Sequence, residues 1–357
     1  MKIRRAQIVG LFLLIGSTTC ITPLFAGFPA ALAAQRSAHP AGSQLAELKG
    51  SDTLAGDGFG WSVAMSGAFV VVGAWGHSKD AGRAYVFNDE AGRFRQLAEL
   101  KGADTTAGDN FGWAVSISGS DLVVGAPGYA ANAARAYVFA RSSSRWSQVA
   151  ELKGSDTRAG DRFGTSVAVS GTELVVGASD HAADAGRAYV FSITGGHIAQ
   201  LAELKGSDTV AGDGFGASVA ISATTAIVGA PSSVSRAGRA YLFEKTSTHW
   251  AQLAELKGSG VVPVRHLPGA AARKRPLGFG GAQFGYAVAL SGPVALVSEP
   301  GESSGTVPVY IFEKTPSAPR WRSRARASSW VHPGRSVTSA APFGTRGGRR
   351  AGFAAVR

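Results

Sequence analysis

Short runs of alternating apolar and polar residues begin at Trp61 and recur along most of the chain. The first four are Trp61-Ser-Val-Ala-Met65, Phe69-Val-Val-Val-Gly73, Arg83-Ala-Tyr-Val-Phe87 and Gln96-Leu-Ala-Glu-Leu100. β-branched and aromatic residues fill them, while Ser66-Gly67 and clusters of Gly, Asp and Ser separate them. A period of two over such short runs predicts half-buried strands joined by turns. Small residues in the first run, Ser62 and Ala64, suit a crowded centre. Glu99 and Lys101, in and just after the fourth run, suit an outer edge, where charge discourages pairing with another sheet.

The unit repeats. Gln44-Leu-Ala-Glu-Leu-Lys-Gly50 returns at 96–102, at 148–154 with Val149, at 200–206 and at 252–258, every 52 residues. Phe-Gly pairs at 59–60, 111–112, 163–164 and 215–216 keep the same period. Tyr85-Val-Phe87 returns at 137–139, at 189–191 and as Tyr241-Leu-Phe243. In the fifth copy Phe284-Gly285 and Tyr310-Ile-Phe312 come 69 residues after their predecessors, so 17 extra residues lie between Gly258 and Phe284. Four strands per unit of this length predict an all-β fold: a β-propeller of about five four-stranded blades. A β-solenoid fits worse, because its coils repeat over shorter spans. A fourth-strand sequence, Gln44 to Gly50, precedes the first blade, and none follows Phe312. The N-terminal strand is therefore expected to complete the last blade and close the ring, hiding two faces that an open propeller would expose.

Phe111-Gly112 followed by Val123-Val-Gly-Ala-Pro127 resembles the FG-GAP repeat, which builds the propellers of integrin α subunits and of many exported bacterial proteins. The resemblance covers residues 44–314. Gly-Ala-Pro is complete at 125–127 and 229–231, changes to Gly73-Ala-Trp75 and Gly177-Ala-Ser179, and decays to Val297-Ser-Glu-Pro300. Family propellers usually carry seven blades. Five copies imply a five-bladed ring, a truncated seven, or a piece that closes with another chain. Family calcium loops lie between the first two strands and need clustered carboxylates. The corresponding turns here, Ser66-Gly67, Ser118-Gly119, Ser170-Gly171, Ser222-Ala223 and Ser291-Gly292, carry no acid. Neither calcium nor another cofactor is expected.

A second acidic element precedes each of the first four Phe-Gly pairs. Asp52 and Asp57 recur as Asp104 and Asp109, Asp156 and Asp161, Asp208 and Asp213. Two carboxylates five residues apart make a thin metal site, and turn chemistry explains them better. The connections between second and third strands vary most. In a propeller they share one face with the connections that enter the next blade. Trp75, His77, Tyr129 and His181 are the candidate partner-binding residues there. A metal shared by His77 and His181 is the alternative for that pair. No nucleophile elbow, His-Glu-x-x-His pattern or phosphate loop occurs, and no catalytic residue is assigned. Glu173, Glu299 and Glu302 are the blade-specific acids that an enzyme acting on carbohydrate or another polymer would draw on.

The net charge of +12 suggests nucleic-acid binding until it is located. Lys314 and nine Arg after it, four basic residues from Arg265 to Arg275, and Lys2, Arg4 and Arg5 leave the rest of the chain at −5. The repeated body is mildly acidic, so nucleic acid is not an expected partner. Residues 1–33 read as a signal peptide: a basic start, an apolar core over Ile8–Ile15 and the small-x-small site Ala31-Leu-Ala33. An uncleaved membrane anchor is the alternative reading of this segment. Residues 34–43 are a linker. Cleavage removes Cys20, so the mature chain has no disulfide and no membrane span. The insert at 259–283 reads as a disordered loop and 315–357 as a basic, disordered tail, with an out-of-frame extension as its suggested origin. Together these features predict a secreted or cell-surface, non-enzymatic binding, adhesion or scaffold module. Its expected partner is an extracellular protein or glycan.

Overall fold

The computed structural model describes residues 44–128, 134–194, 197–233, 237–247, 249–258, 283–300 and 308–314, and the backbone of 321–326. The expected signal, linker, most of the insert and most of the tail lie outside these residues. The first sheet contains β1 (Phe59–Ser66), β2 (Phe69–Ala74), β3 (Arg83–Glu90) and β4 (Arg93–Leu100). The second contains β5 (Ala114–Ser118), β6 (Asp121–Ala126), β7 (Arg135–Ser142) and β8 (Arg145–Leu152). The third contains β9 (Phe163–Ser170), β10 (Glu173–Ala178), β11 (Arg187–Thr194) and β12 (His197–Leu204). The fourth contains β13 (Ser218–Ser222), β14 (Thr225–Ala230), β15 (Arg239–Lys245) and β16 (Trp250–Leu256). The fifth contains β17 (Val288–Ser291), β18 (Val294–Ser298), β19 (Val309–Lys314) and β20 (Trp321–Arg326). Every sheet is an antiparallel meander in chain order, so the repeat predicted the fold class correctly. Strands one to four match the four apolar runs, extended by a few residues.

Consecutive sheets touch through their first strands, β1 to β5, β5 to β9, β9 to β13 and β13 to β17. Small residues there are a consequence of crowding, as expected. Ser62 Oγ donates to the Gly112 carbonyl at 2.7 Å, and Ser166 and Ser218 repeat the bond toward Gly216 and Gly285. From the second sheet on, each Phe-Gly pair enters the seam with the preceding sheet. Phe111 is fully buried, stacks edge-on against Phe139 of its own sheet, and bridges Gly82 of the preceding one. The glycine after it presents its carbonyl to the penultimate glycine of the neighbouring second strand. A Cβ at Gly125 would overlap the Gly164 carbonyl oxygen, and Gly73, Gly177 and Gly229 are blocked in the same way. Both glycines of the motif serve one close approach.

In the first four sheets the connection that enters the sheet runs across it from its outer edge to its centre, pinned at recurrent points. Gln96 Oε1 accepts the Ser51 N–H at 2.9 Å, and Gln148, Gln200 and Gln252 do the same for Ala103, Ser155 and Ser207. Tyr85 donates to Asp52 at 2.7 Å, as Tyr137, Tyr189 and Tyr241 donate to Asp104, Asp156 and Asp208. Arg83, Arg135, Arg187 and Arg239 pair with Glu99, Glu151, Glu203 and Glu255 on the adjoining fourth strand.

One expectation about closure fails. The fourth strand of the fifth sheet is β20, from the segment expected to be a disordered tail, and not Gln44–Gly50. Trp321, Ser323 and Ala325 alternate with three arginines, a period of two disguised by small residues. A strand six residues downstream also costs far less loop entropy than one at the far end of the chain. Residues 44–50 form no strand, and Leu48 instead packs on the first sheet beside Tyr85 and Phe87. Among the described residues, apolar clusters join each sheet to the next, and none joins the fifth to the first.

Gly125→Ala is expected to cost more than about 2 kcal/mol, because a rigid backbone seam must open to admit one methyl group. Urea unfolding measures this; wild-type stability in the variant would refute the close-approach argument. A second prediction concerns alkali. Burial, and then the hydrogen bond to an aspartate, push the hydroxyls of Tyr85, Tyr137, Tyr189 and Tyr241 far above their ordinary range. The folded state thus favours the protonated form. Its contribution is complete below the unfolded pKa of about 10 and is lost as pH rises beyond it. Phenolate absorbance should appear together with loss of the β-sheet circular dichroism signal. Gradual ionisation with the signal intact is the contrary result.

Candidate functional site

Three tryptophans meet on the face that carries the second-to-third-strand connections. Trp61 follows the Phe-Gly pair of β1, Trp113 follows that of the second sheet, and Trp75 comes directly after β2. Ring centroids lie 5.8 Å apart for Trp61 and Trp75, 5.0 Å for Trp61 and Trp113, and 5.6 Å for Trp75 and Trp113. All three pairs are tilted or edge-on, the arrangements favoured by ring quadrupoles. Trp61 remains 56% exposed. The indole N–H of Trp75 is buried, lies above Gly58 and has no acceptor among the described residues. The guanidinium of Arg162, in the connection entering the third sheet, sits 5.5 Å from the Trp113 ring centre. Three sheets thus contribute to one aromatic surface with a cation at its rim.

The other candidate residues are placed differently. His77 is buried, and its Nδ1 lies 2.9 Å from Asp57 Oδ2 while its Nε2 lies 3.5 Å from Asp52. His181 repeats this in the third sheet, 2.8 Å from Asp161 and 3.4 Å from Asp156. Each histidine ties the connection after its second strand to the loop entering the same sheet. The two are engaged with separate acids, so they do not share a site. Tyr129 lies outside the described residues. Asp57 also accepts the Leu54 N–H at 2.7 Å, which is the turn chemistry expected of it. Burial raises the Asp57 carboxyl, but the Leu54 N–H and His77 outweigh it and hold the group below the usual carboxylate range. Asp52, His77 and Glu99 bring one ligand atom each within 4.8 Å of one another, a set able to hold a cation. Both carboxylates already have protein donors, Tyr85 on Asp52 and Arg83 on Glu99.

The blade-specific acids have structural partners too. Glu173 is buried and pairs with Lys245 of the fourth sheet. Glu299 accepts the Tyr310 hydroxyl, standing where aspartates serve the other four tyrosines. Glu302 lies outside the described residues. Sequence reading singled out Trp75 but missed Trp61, Trp113 and Arg162. A signal was present: the residue after Phe-Gly is tryptophan in the first two copies alone.

Among the described residues, no helix is long and apolar enough to cross a membrane. No curated protein matches the chain. Solved structures resemble it distantly. A Lactobacillus plantarum protein is 13% identical with a TM-score of 0.47, the match covering 75% of this chain and 70% of that one. TolB from Acinetobacter baumannii is 13% identical, with a TM-score of 0.38 over 71% of this chain and 51% of its own. Sqt1 from Saccharomyces cerevisiae is 8% identical, with a TM-score of 0.42 over 75% and 62%. The FG-GAP repeat family matches at 43–87, 94–139, 146–191 and 198–243, just over half of the chain. With the Phe-Gly and Gly-Ala-Pro glycines meeting at successive seams of the sheet stack, this chain belongs to the FG-GAP repeat family.

Proposed function

We propose that this protein is an exported, non-enzymatic binding module, and that the Trp61–Trp75–Trp113 surface recognises an extracellular protein or glycan. The observation that carries the reading is the three-tryptophan contact, with Trp61 half in solvent. Large indoles on a rigid scaffold lose little entropy on binding and offer flat apolar faces to a sugar ring or a side chain. The unmet Trp75 N–H suits a ligand oxygen, and Arg162, which lies 3.9 Å from Asp180, flanks the ring surface as a cation already partnered by the protein. Nothing in the fold requires Trp61 at its position, since Thr165, Ala217 and Tyr286 stand there in other sheets. A role in adhesion or as a scaffold follows from such a surface. The engagement of Glu173 and Glu299 in ties that hold the structure favours binding over hydrolysis.

Glycan and protein arrays probed with the full chain test the proposal. Trp61→Ala and Trp113→Ala are each expected to weaken the leading interaction about thirty-fold, the loss typical of a buried aromatic anchor. Circular dichroism should remain that of the wild type. Binding that is unchanged in the double variant would remove this surface from consideration.

A further inference from the structure

The two ends of the sheet stack differ. Val115, Val167 and Val219 face the preceding sheet and are each only 9% exposed. Their counterpart in β1, Val63, is 67% exposed, and Met65 is 66% exposed where Ile117, Val169 and Ile221 are buried. Phe59 is partly exposed, although the other four Phe-Gly phenylalanines are fully buried. The turn after each later first strand donates its N–H to a serine of the preceding sheet: Gly119 to Ser66, Gly171 to Ser118, Ala223 to Ser170 and Gly292 to Ser222. Gly67 is the donor position left over. The exposed side of β1 is one half of an interface that this chain builds four times.

The fifth sheet is the obvious other half, from the same chain or a second copy. Two residues on its outward side depart from all four other sheets. Gly73, Gly125, Gly177 and Gly229 are followed by Ser298, and Ala84, Ala136, Ala188 and Ala240 by Val309. A Cβ at any of those four glycines would overlap the carbonyl of the next sheet. The Ala287 N–H donates to Ser298 Oγ at 3.0 Å and holds the serine side chain in place. Val309, 36% exposed, adds bulk where alanines are fully buried elsewhere. The fifth sheet therefore ends the stack with a side that a Phe-Gly seam cannot enter.

We propose that the exposed side of the first sheet receives a further four-stranded sheet of the same repeat type, one with glycine and alanine at these two positions. Ser298 and Val309 exclude the chain's own fifth sheet, and that of a second copy, from this place. The partner's side is apolar and supplies a serine hydroxyl to the Gly67 N–H.

Disulfide trapping tests this in the full chain with its single cysteine removed by Cys20→Ser. The Ser222–Gly292 hydrogen bond of 3.1 Å makes positions 291 and 67 neighbours in the proposed seam, and Ala223 shows that the turn position tolerates a side chain. One copy carries Gly67→Cys. The probe copy carries Ser291→Cys with Ser298→Gly and Val309→Ala; Ser298→Gly alone is the second, more conservative probe. Mild oxidation of the mixture should give the mixed disulfide, which Val63→Asp on the first copy abolishes. A probe that keeps Ser298 and Val309 should give at least about ten-fold less, equivalent to about 1.4 kcal/mol. Equal yields from both probes would make a second copy the natural occupant and overturn the proposal. No mixed disulfide from any probe would show that the first sheet takes no blade at all, which overturns it as well.

Discussion

The architecture depends on one close approach, the carbonyl of a Phe-Gly glycine resting against the penultimate glycine of the second strand in the preceding sheet. No side chain mediates this contact, so it fixes the spacing between sheets more tightly than an apolar seam would. Once the backbones are that close, the phenylalanine has only one place to go, under the tyrosine and phenylalanine of its own third strand. The serines of the first strand then reach across to the carbonyl groups that the seam leaves open. Ala114 lacks the hydroxyl and its sheet still packs on the next, so the serine bond supports the seam without creating it. Glycine alone is indispensable, which is why the motif is written in glycines.

A scaffold set at its centre leaves its connections free to differ. They are nonetheless held at fixed points by the Gln, Tyr and Arg pins, so variation is confined to the residues between pins. In the first and third sheets a histidine adds one more tie, and in the fourth Arg239 lies 3.6 Å from Asp208. A cationic or hydrogen-bonding side chain thus tends to face the same aspartate, whichever residue supplies it. That substitution pattern is what a structural role looks like. The tryptophans behave otherwise. They occupy positions where the other sheets use Thr, Ala, Ser, Pro or Tyr, and no repeated pin requires them.

The sheets and their order were legible because period and repeat agree, and each strand sees the same environment in every copy; the strands run a few residues beyond the apolar runs. Two things were not legible. Which strand completes the fifth sheet depended on Trp321–Arg326, where every second residue is an arginine and the alternate ones are mostly small, so apolar alternation is faint. The aromatic surface depended on residues 52 apart in sequence that become neighbours only when sheets stack. Trp61 and Trp113 each looked like one strand residue among many. Equivalence between copies, which revealed the fold, concealed the site, because it draws attention to what repeats. The same holds for His77, whose buried pairing with Asp57 required the path of the incoming connection.

Asymmetry between the ends connects the fold to the recognition surface. Trp61 stands at the junction of the tryptophan cluster and the exposed side of β1, so its solvent exposure has two sources. One is the open loop face, and the other is that no sheet among the described residues covers that side of β1. In the second sheet the equivalent Trp113 is only partly exposed, because Trp61 and Arg162 flank it. A sheet seated on β1 would flank Trp61 in the same way and extend the aromatic surface by whatever residue follows its strand. Occupancy of one surface would therefore alter the shape of the other through a single shared side chain. No conformational change in the sheets is needed for that coupling, since contact alone transmits it.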